Sequence, residues 1–240
     1  MATQTQEPTA ARRRAPLIVE LYRSALGKKY LMAVSGIVGL GYVFAHMVGN
    51  LKLYQSAESF NGYAEFLRRL LYPIAPERAV LNLLRVVLVV ALVVHVVAAY
   101  QLTMMNRRAR PERYQAPRDY VIADFAARTM RWTGVVVLLF LAYHLADLTW
   151  GWVNPAPSGS TPFEKVVASF SVPWVAAFYL VANLALAAHL FHGVWSLFQS
   201  MGWSSRRLDR VRRSLAVGFT AVVVGGNLSF PIAVQLGVIG

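Results

Sequence analysis

Apolar residues gather in five long stretches, at about 30–53, 79–105, 121–150, 172–200 and 215–239. Each is near the ~20 residues that a helix needs to cross a hydrocarbon core ~30 Å thick. The pattern predicts five membrane-spanning helices. Between them lie shorter segments of different character. Residues 57–72 carry apolar and charged positions on opposite faces, which predicts an amphipathic helix lying on the outer surface. Residues 153–162 hold three prolines and two serines and read as an irregular loop. Residues 1–16 are polar and basic and read as a disordered or surface tail. No apolar core with a small-residue cleavage site precedes the first span, so no signal peptide is expected. A short amphipathic piece, Leu17–Leu26, then leads through Gly27-Lys28-Lys29 into the first span. The chain thus divides into a basic segment, 1–29, and a membrane-embedded domain, 30–240.

Composition supports this class. The chain is 57% hydrophobic and only 15% charged, with a mean hydropathy of +0.46. A soluble domain needs more polar surface. The net charge of +13 does not point to nucleic acid, because the basic residues sit in short segments beside the apolar runs. Arginines and lysines crowd the N-terminal segment, the second-to-third connection and the fourth-to-fifth connection. The third-to-fourth connection has only Glu164 and Lys165, and the first-to-second is mixed. Basic loops stay in the cytoplasm, which places the N-terminus inside and the C-terminus outside. Trp150, Trp152, Trp174, Trp195 and Trp203 lie near span ends, where interfacial anchors belong. There is no cysteine, which excludes disulfides, iron–sulfur ligation and a thioether-attached haem within this chain.

The chemistry lies inside the spans. His46, His95, His144 and His189 fall one each in the first four apolar stretches. An imidazole in hydrocarbon is costly and marks a functional site. At ~1.5 Å of rise per residue, His46 lies about 24 Å and His144 roughly 18 Å from the inner face. His95 and His189 lie about 24 Å from the outer face, because their spans run inward. Two histidines are therefore near the outside and two near the inside. Paired imidazoles at one depth are the axial ligands of a b-type haem. The expected pairs are His46 with His144 and His95 with His189, holding two haems b through four metal-ligating histidines. The alternative for any one of them is a proton relay or polar contact in a transporter bundle. His192, three residues past His189, is an alternative ligand, a partner for a propionate, or a side chain reaching interfacial water.

Eleven residues before His46 stands Ser35, and eleven before His144 stands Thr133, each followed by glycine, Gly36 and Gly134. Eleven residues is nearly a whole number of turns, so these small residues share their histidine's face at about the depth of the inner pair. They would let a flat macrocycle lie against spans one and three. Small pairs also serve plain helix packing. Arg85, inside span two, offers a partner either for Asp147 or for an outer haem propionate. Arg128 and Arg131 open span three on the side where inner propionates would want cations, or serve topology by snorkelling. Glu65, in the outer 57–72 segment, is the carboxylate best placed to handle quinone protons, or else a solvated loop acid. Span five lacks histidine and carries Gly225-Gly226 and Pro231, so it is expected to pack outside the haem bundle with a kink.

These residues resemble the five-span, two-haem cytochrome b subunit of succinate dehydrogenases and fumarate reductases, the single-chain anchor of menaquinone-using bacteria. The resemblance rests on Ser35-Gly36 leading to His46-Met47-Val48-Gly49-Asn50, and on Phe60-Asn61. It rests also on Arg131-Trp132-Thr133-Gly134 leading to His144-Leu145-Ala146-Asp147, and on His189-Leu190-Phe191-His192-Gly193-Val194-Trp195-Ser196. It covers about residues 20–235. It implies an all-α, integral membrane five-helix bundle in which four helices enclose two stacked haems b. It also implies His189 rather than His192 as ligand. The implied setting is the bacterial cytoplasmic membrane, where the chain anchors a flavoprotein and an iron–sulfur subunit at the cytoplasmic face, with higher oligomers of the complex possible. Succinate would be oxidised on those partners, and menaquinone would be the substrate of this subunit. Some fumarate reductases of this kind carry a glutamate two residues before the fourth-span ligand; here that position is Ala187. Two other classes fit the residues: the dihaem anchor of another quinone-linked dehydrogenase, of hydrogenase or formate dehydrogenase type, and a haem-free transporter.

Overall fold

The computed structural model describes residues 16–109, 121–203 and 205–240, without the side chains of 17, 18, 121–128, 206 and 207. Among them the chain is entirely helical, and five helices are long and apolar enough to cross a membrane. In order, α1 is Leu17–Arg23, α2 Ala25–Asn50, α3 Ala57–Arg68, α4 Ala79–Ala109, α5 Val121–His144, α6 Pro162–Ser171, α7 Pro173–Ser200 and α8 Arg206–Gln235. Helices α2, α4, α5, α7 and α8 are the spans. A tight 3₁₀ turn, Leu51–Tyr54, extends α2, and a π turn, Leu145–Thr149, extends α5.

Several boundaries differ from the sequence reading. The first span starts at Ala25 rather than 30, because Ser24 both ends α1 and caps α2. Its backbone N–H donates to Glu20 O, and its hydroxyl accepts from Gly27 N at 2.9 Å. Lys28 is thereby drawn into α2, where its Nζ donates to Tyr22 O at 2.6 Å. The fifth span starts at Arg206 rather than 215, capped by Ser205, and ends at Gln235 rather than 239. Its first two turns are polar. Arg212 there is buried, pairs with Asp209 and lies 5.4 Å over the Trp195 ring of α7. The helix continues through Pro231. The outer amphipathic helix stops at Arg68 rather than 72, since Leu71 takes a left-handed φ of +68°. Helix α6 lies where a connection was expected. A capping box starts it: Thr161 accepts from Glu164 N, and Glu164 accepts from Thr161 N.

The closely packed pairs of spans are α2 with α4, α5 with α7, and α7 with α8, with lesser contacts from α2 to α7 and α8. Helix α8 buries Ala216, Val223, Val224 and Phe230 and carries no histidine, so it flanks the histidine-bearing helices. Lipid is as apolar as leucine, so close approach rather than hydrophobicity selects such contacts. Met47 against Gly226 is one example: a Cβ on that glycine would meet the Met47 sulfur at 2.5 Å. Large side chains such as Leu83, Leu139 and Val181 stay exposed on the bundle's periphery, as a lipid-facing surface requires.

Helices α3 and α6 close the end of the bundle nearest His46 and His144. Asn61 Oδ1 accepts from Phe163 N at 3.0 Å, and Phe60 packs edge-on against Phe163. Leu53, Phe60, Val166, Phe170, Val175, Tyr179, Phe230 and Val234 form one buried cluster beneath this cap. Gln235 Nε2 ties the end of α8 to Phe170 O at 2.6 Å.

Candidate functional site

Four helices each present one histidine to the interior, and the rings meet in two pairs. His46 of α2 faces His144 of α5, with ring centroids 5.9 Å apart and planes at 87°. His95 of α4 faces His189 of α7, with centroids 6.3 Å apart and planes at 62°. Each pair is drawn from two helices that are not among those closely packed on each other. Of the two histidines on α7, His189 is the one that faces His95; His192 is half-buried one turn further along.

Each ring is set by its neighbours. Tyr42, one turn before His46, stacks on it at 5.4 Å and 13°. His144 is the last residue of α5, and the rings of Phe140 and Tyr179 lie 5.7 and 5.9 Å from it. His95 Nδ1 lies 3.2 Å from Met32 O and 3.3 Å from Ser35 Oγ. Ser35 commits its own proton to Leu31 O at 2.7 Å. Both neighbours of Nδ1 therefore act as acceptors, so Nδ1 carries the proton and Nε2 keeps a free lone pair. Among the described residues, His144 Nδ1 is buried without a hydrogen-bond partner.

The small residues stand at the inner pair, at the offset read from the sequence. A Cβ on Gly36 would lie 3.5 Å from His95 Cε1, and one on Gly134 would lie 3.4 Å from His189 Cε1. Both distances are ordinary contact, so a small residue at each position lets α2 and α5 back directly onto the imidazoles of α4 and α7. Thr133 turns its hydroxyl to Met130 O at 3.1 Å.

The remaining expected residues are more scattered. Arg85 is exposed and donates to Asn82 Oδ1 at 3.2 Å, so the pairing offered for it with Asp147 is not formed. The reason is that Asp147 is satisfied elsewhere. Its carboxylate is fully buried and accepts from Asn154 Nδ2 at 2.6 Å, Ser169 Oγ at 2.6 Å and Tyr179 Oη at 2.8 Å. Glu65 is half-exposed and pairs with Arg68 at 3.2 Å and Arg69 at 2.8 Å. Arg131 is exposed on α5, and the Arg128 side chain lies outside the described residues. Sequence reasoning noticed Asp147 but not its partners; Tyr42, stacked on His46, was missed altogether. Its spacing of four residues from His46 was the available signal.

The donor set fits haem better than a protein-only metal site. Two metal–imidazole bonds of about 2 Å, with about 1 Å more from each nitrogen to its ring centre, set about 6 Å between centroids. Both pairs have that separation. Among the described residues no three His, Cys, Asp or Glu side chains gather as metal ligands. Two ligands suffice only where a macrocycle supplies the others.

Fold and site together define a multi-pass membrane protein built around two facing histidine pairs. Residues 125–227 match the family model described as succinate dehydrogenase/fumarate reductase transmembrane subunit. Over that stretch, which runs from α5 into α8, the chain is similar to the membrane subunits of succinate dehydrogenase and fumarate reductase complexes. No curated protein and no solved structure matches the chain.

Proposed function

We propose that the chain is the anchor and electron-conducting subunit of a succinate:menaquinone oxidoreductase. The observation that carries this is the pair of facing imidazoles at each of two levels of the bundle, in a chain matching the transmembrane subunit family. Two bound haems b would supply one-electron transfer between an iron–sulfur partner at the cytoplasmic side and menaquinone. The chain's residues hold and orient. His46 with His144, and His95 with His189, would hold the two haems. Met32 and Ser35 fix the His95 tautomer, which leaves Nε2 free to ligate. Gly36 and Gly134 keep the flanks of the inner pair flat. The described arginines at the span ends, Arg85 and Arg131, offer cations to propionates at the two faces. The flavoprotein and iron–sulfur subunits, and succinate oxidation, belong to the partners. In this reading the chain sits in the bacterial cytoplasmic membrane with its N-terminus inside.

Two levels of histidine pairs are needless if quinone meets the iron–sulfur partner directly. They make sense if quinone is reduced at the outer end, near His46, His144 and the α3 segment that carries Glu65. Each electron then crosses the membrane from the negative to the positive side. Moving one charge across 100 mV is worth ~2.3 kcal/mol. Ala187, in the place of a proton-carrying glutamate, leaves that charge movement uncancelled. Succinate oxidation by intact, energised membranes is expected to slow severalfold when an uncoupler collapses the potential. Equal rates with and without uncoupler refute the outer site.

A further inference from the structure

Asp147 stands in no role assigned above, yet it is the most completely buried acid among the described residues. A carboxylate inside an apolar bundle is costly unless its lone pairs are met. Here they are met by donors from three separate segments. Asn154 comes from the loop after α5, Ser169 from α6 and Tyr179 from α7. The orientation of Asn154 is fixed, because its Oδ1 accepts from Ala156 N at 2.9 Å and its Nδ2 also donates to Lys165 O at 3.1 Å. All three contacts therefore run from donor to carboxylate oxygen, the complement of an acceptor-only group.

This network reaches His144 by two routes. Along the chain, Asp147 lies in the π turn that begins directly after His144. Such turns are frequent at functional sites. Across the bundle, Asp147 holds the Tyr179 hydroxyl, and the Tyr179 ring lies edge-on to His144 at 5.9 Å and to Phe140 at 5.1 Å. Among the described residues no cation pairs with Asp147. Its charge is held by dipoles alone, in a low dielectric, and acts at longer range than a surface charge would.

We infer that Asp147 is a positioning residue for the outer histidine pair: through Tyr179 it sets the His144 ring, and its charge holds the outer haem at a lower potential than its ligands alone would give. The inference rests on the haem reading above. A negative charge favours the oxidised, more positive iron, so removing it raises the potential. Removing a donor while keeping the carboxylate leaves its charge less offset and acts in the opposite sense.

The test is a potentiometric titration of the haem absorption in the purified complex, with haem content measured alongside. The outer haem is the one lost in His46→Ala. Asp147→Asn is expected to shift its reduced-to-oxidised ratio at fixed potential about tenfold toward reduced, equivalent to ~59 mV for one electron, leaving the other haem unmoved. Asp147→Glu should restore it. Tyr179→Phe should move the same haem in the opposite direction. Unmoved potentials in Asp147→Asn, equal shifts of both haems, or loss of the outer haem in both Asp147 variants would overturn the inference. If Asp147→Asn does not assemble, Tyr179→Phe decides, and an unmoved outer potential overturns it. Fewer than two haems in the unaltered complex would instead strike the underlying haem reading.

Discussion

Replacing His46 or His144 with alanine is expected to remove one and the same haem, and replacing His95 or His189 to remove the other. Haem content should fall from two per chain to one in each variant. The grouping is the informative part. Chain neighbours are split between sites, since His46 and His95 lie on the closely packed α2 and α4 yet face different partners. An alanine leaves the opposing imidazole with no second axial nitrogen, and a low-spin signal from that haem cannot survive. His192→Ala should retain both haems, because its ring is not the one presented to His95. Low-temperature spectra that resolve the two haems, read with haem quantitation, check the grouping. Loss of a haem in His192→Ala but not in His189→Ala would reverse the assignment on α7.

The second large effect belongs to the glycines. Gly36→Leu and Gly134→Leu are each expected to abolish the haem held by His95 and His189 while sparing the outer one. At both positions a Cβ already sits in ordinary contact with an imidazole, at 3.5 and 3.4 Å. Alanine is therefore tolerated. The three further carbons of leucine crowd a ring already in contact, and an off-rotamer or displaced histidine costs ~1–3 kcal/mol before any ligand geometry is considered. Gly218→Leu is the control, since a Cβ there meets nothing within 4 Å and the residue is exposed. Both haems should persist in it. A haem content of two in Gly134→Leu would show that the glycine offset serves helix packing only.

The parts of this molecule that were legible in its sequence are those governed by a period. Apolar runs of bilayer length gave the five spans, and rise per residue put His46 level with His144 and His95 level with His189. The same arithmetic placed Gly36 and Gly134 beside the inner pair. What escaped were features set by local caps or by long-range partners. Hydropathy marks where hydrocarbon begins, not where hydrogen bonding stops, so the polar first turns of α8 and the Ser24 cap of α2 went unread. Helix α6 was hidden by the prolines beside it, although Thr161 and Glu164 carry a capping-box signature. Asp147 reads from the sequence as an intramembrane acid that needs a partner, and Arg85, expected near the same face, is the cation offered to it. Its true partners, Asn154, Ser169 and Tyr179, come from three elements whose meeting no periodicity announces. Arg212 is a similar case, a basic-loop residue by sequence that the fold buries against Trp195.

In the proposed function two haems b sit between these histidine pairs. Pyridine haemochrome quantitation on the purified complex, normalised to this chain, tests it most directly. Two haems b per chain are expected, both low-spin with bis-imidazole signatures. One haem or none per chain would contradict it.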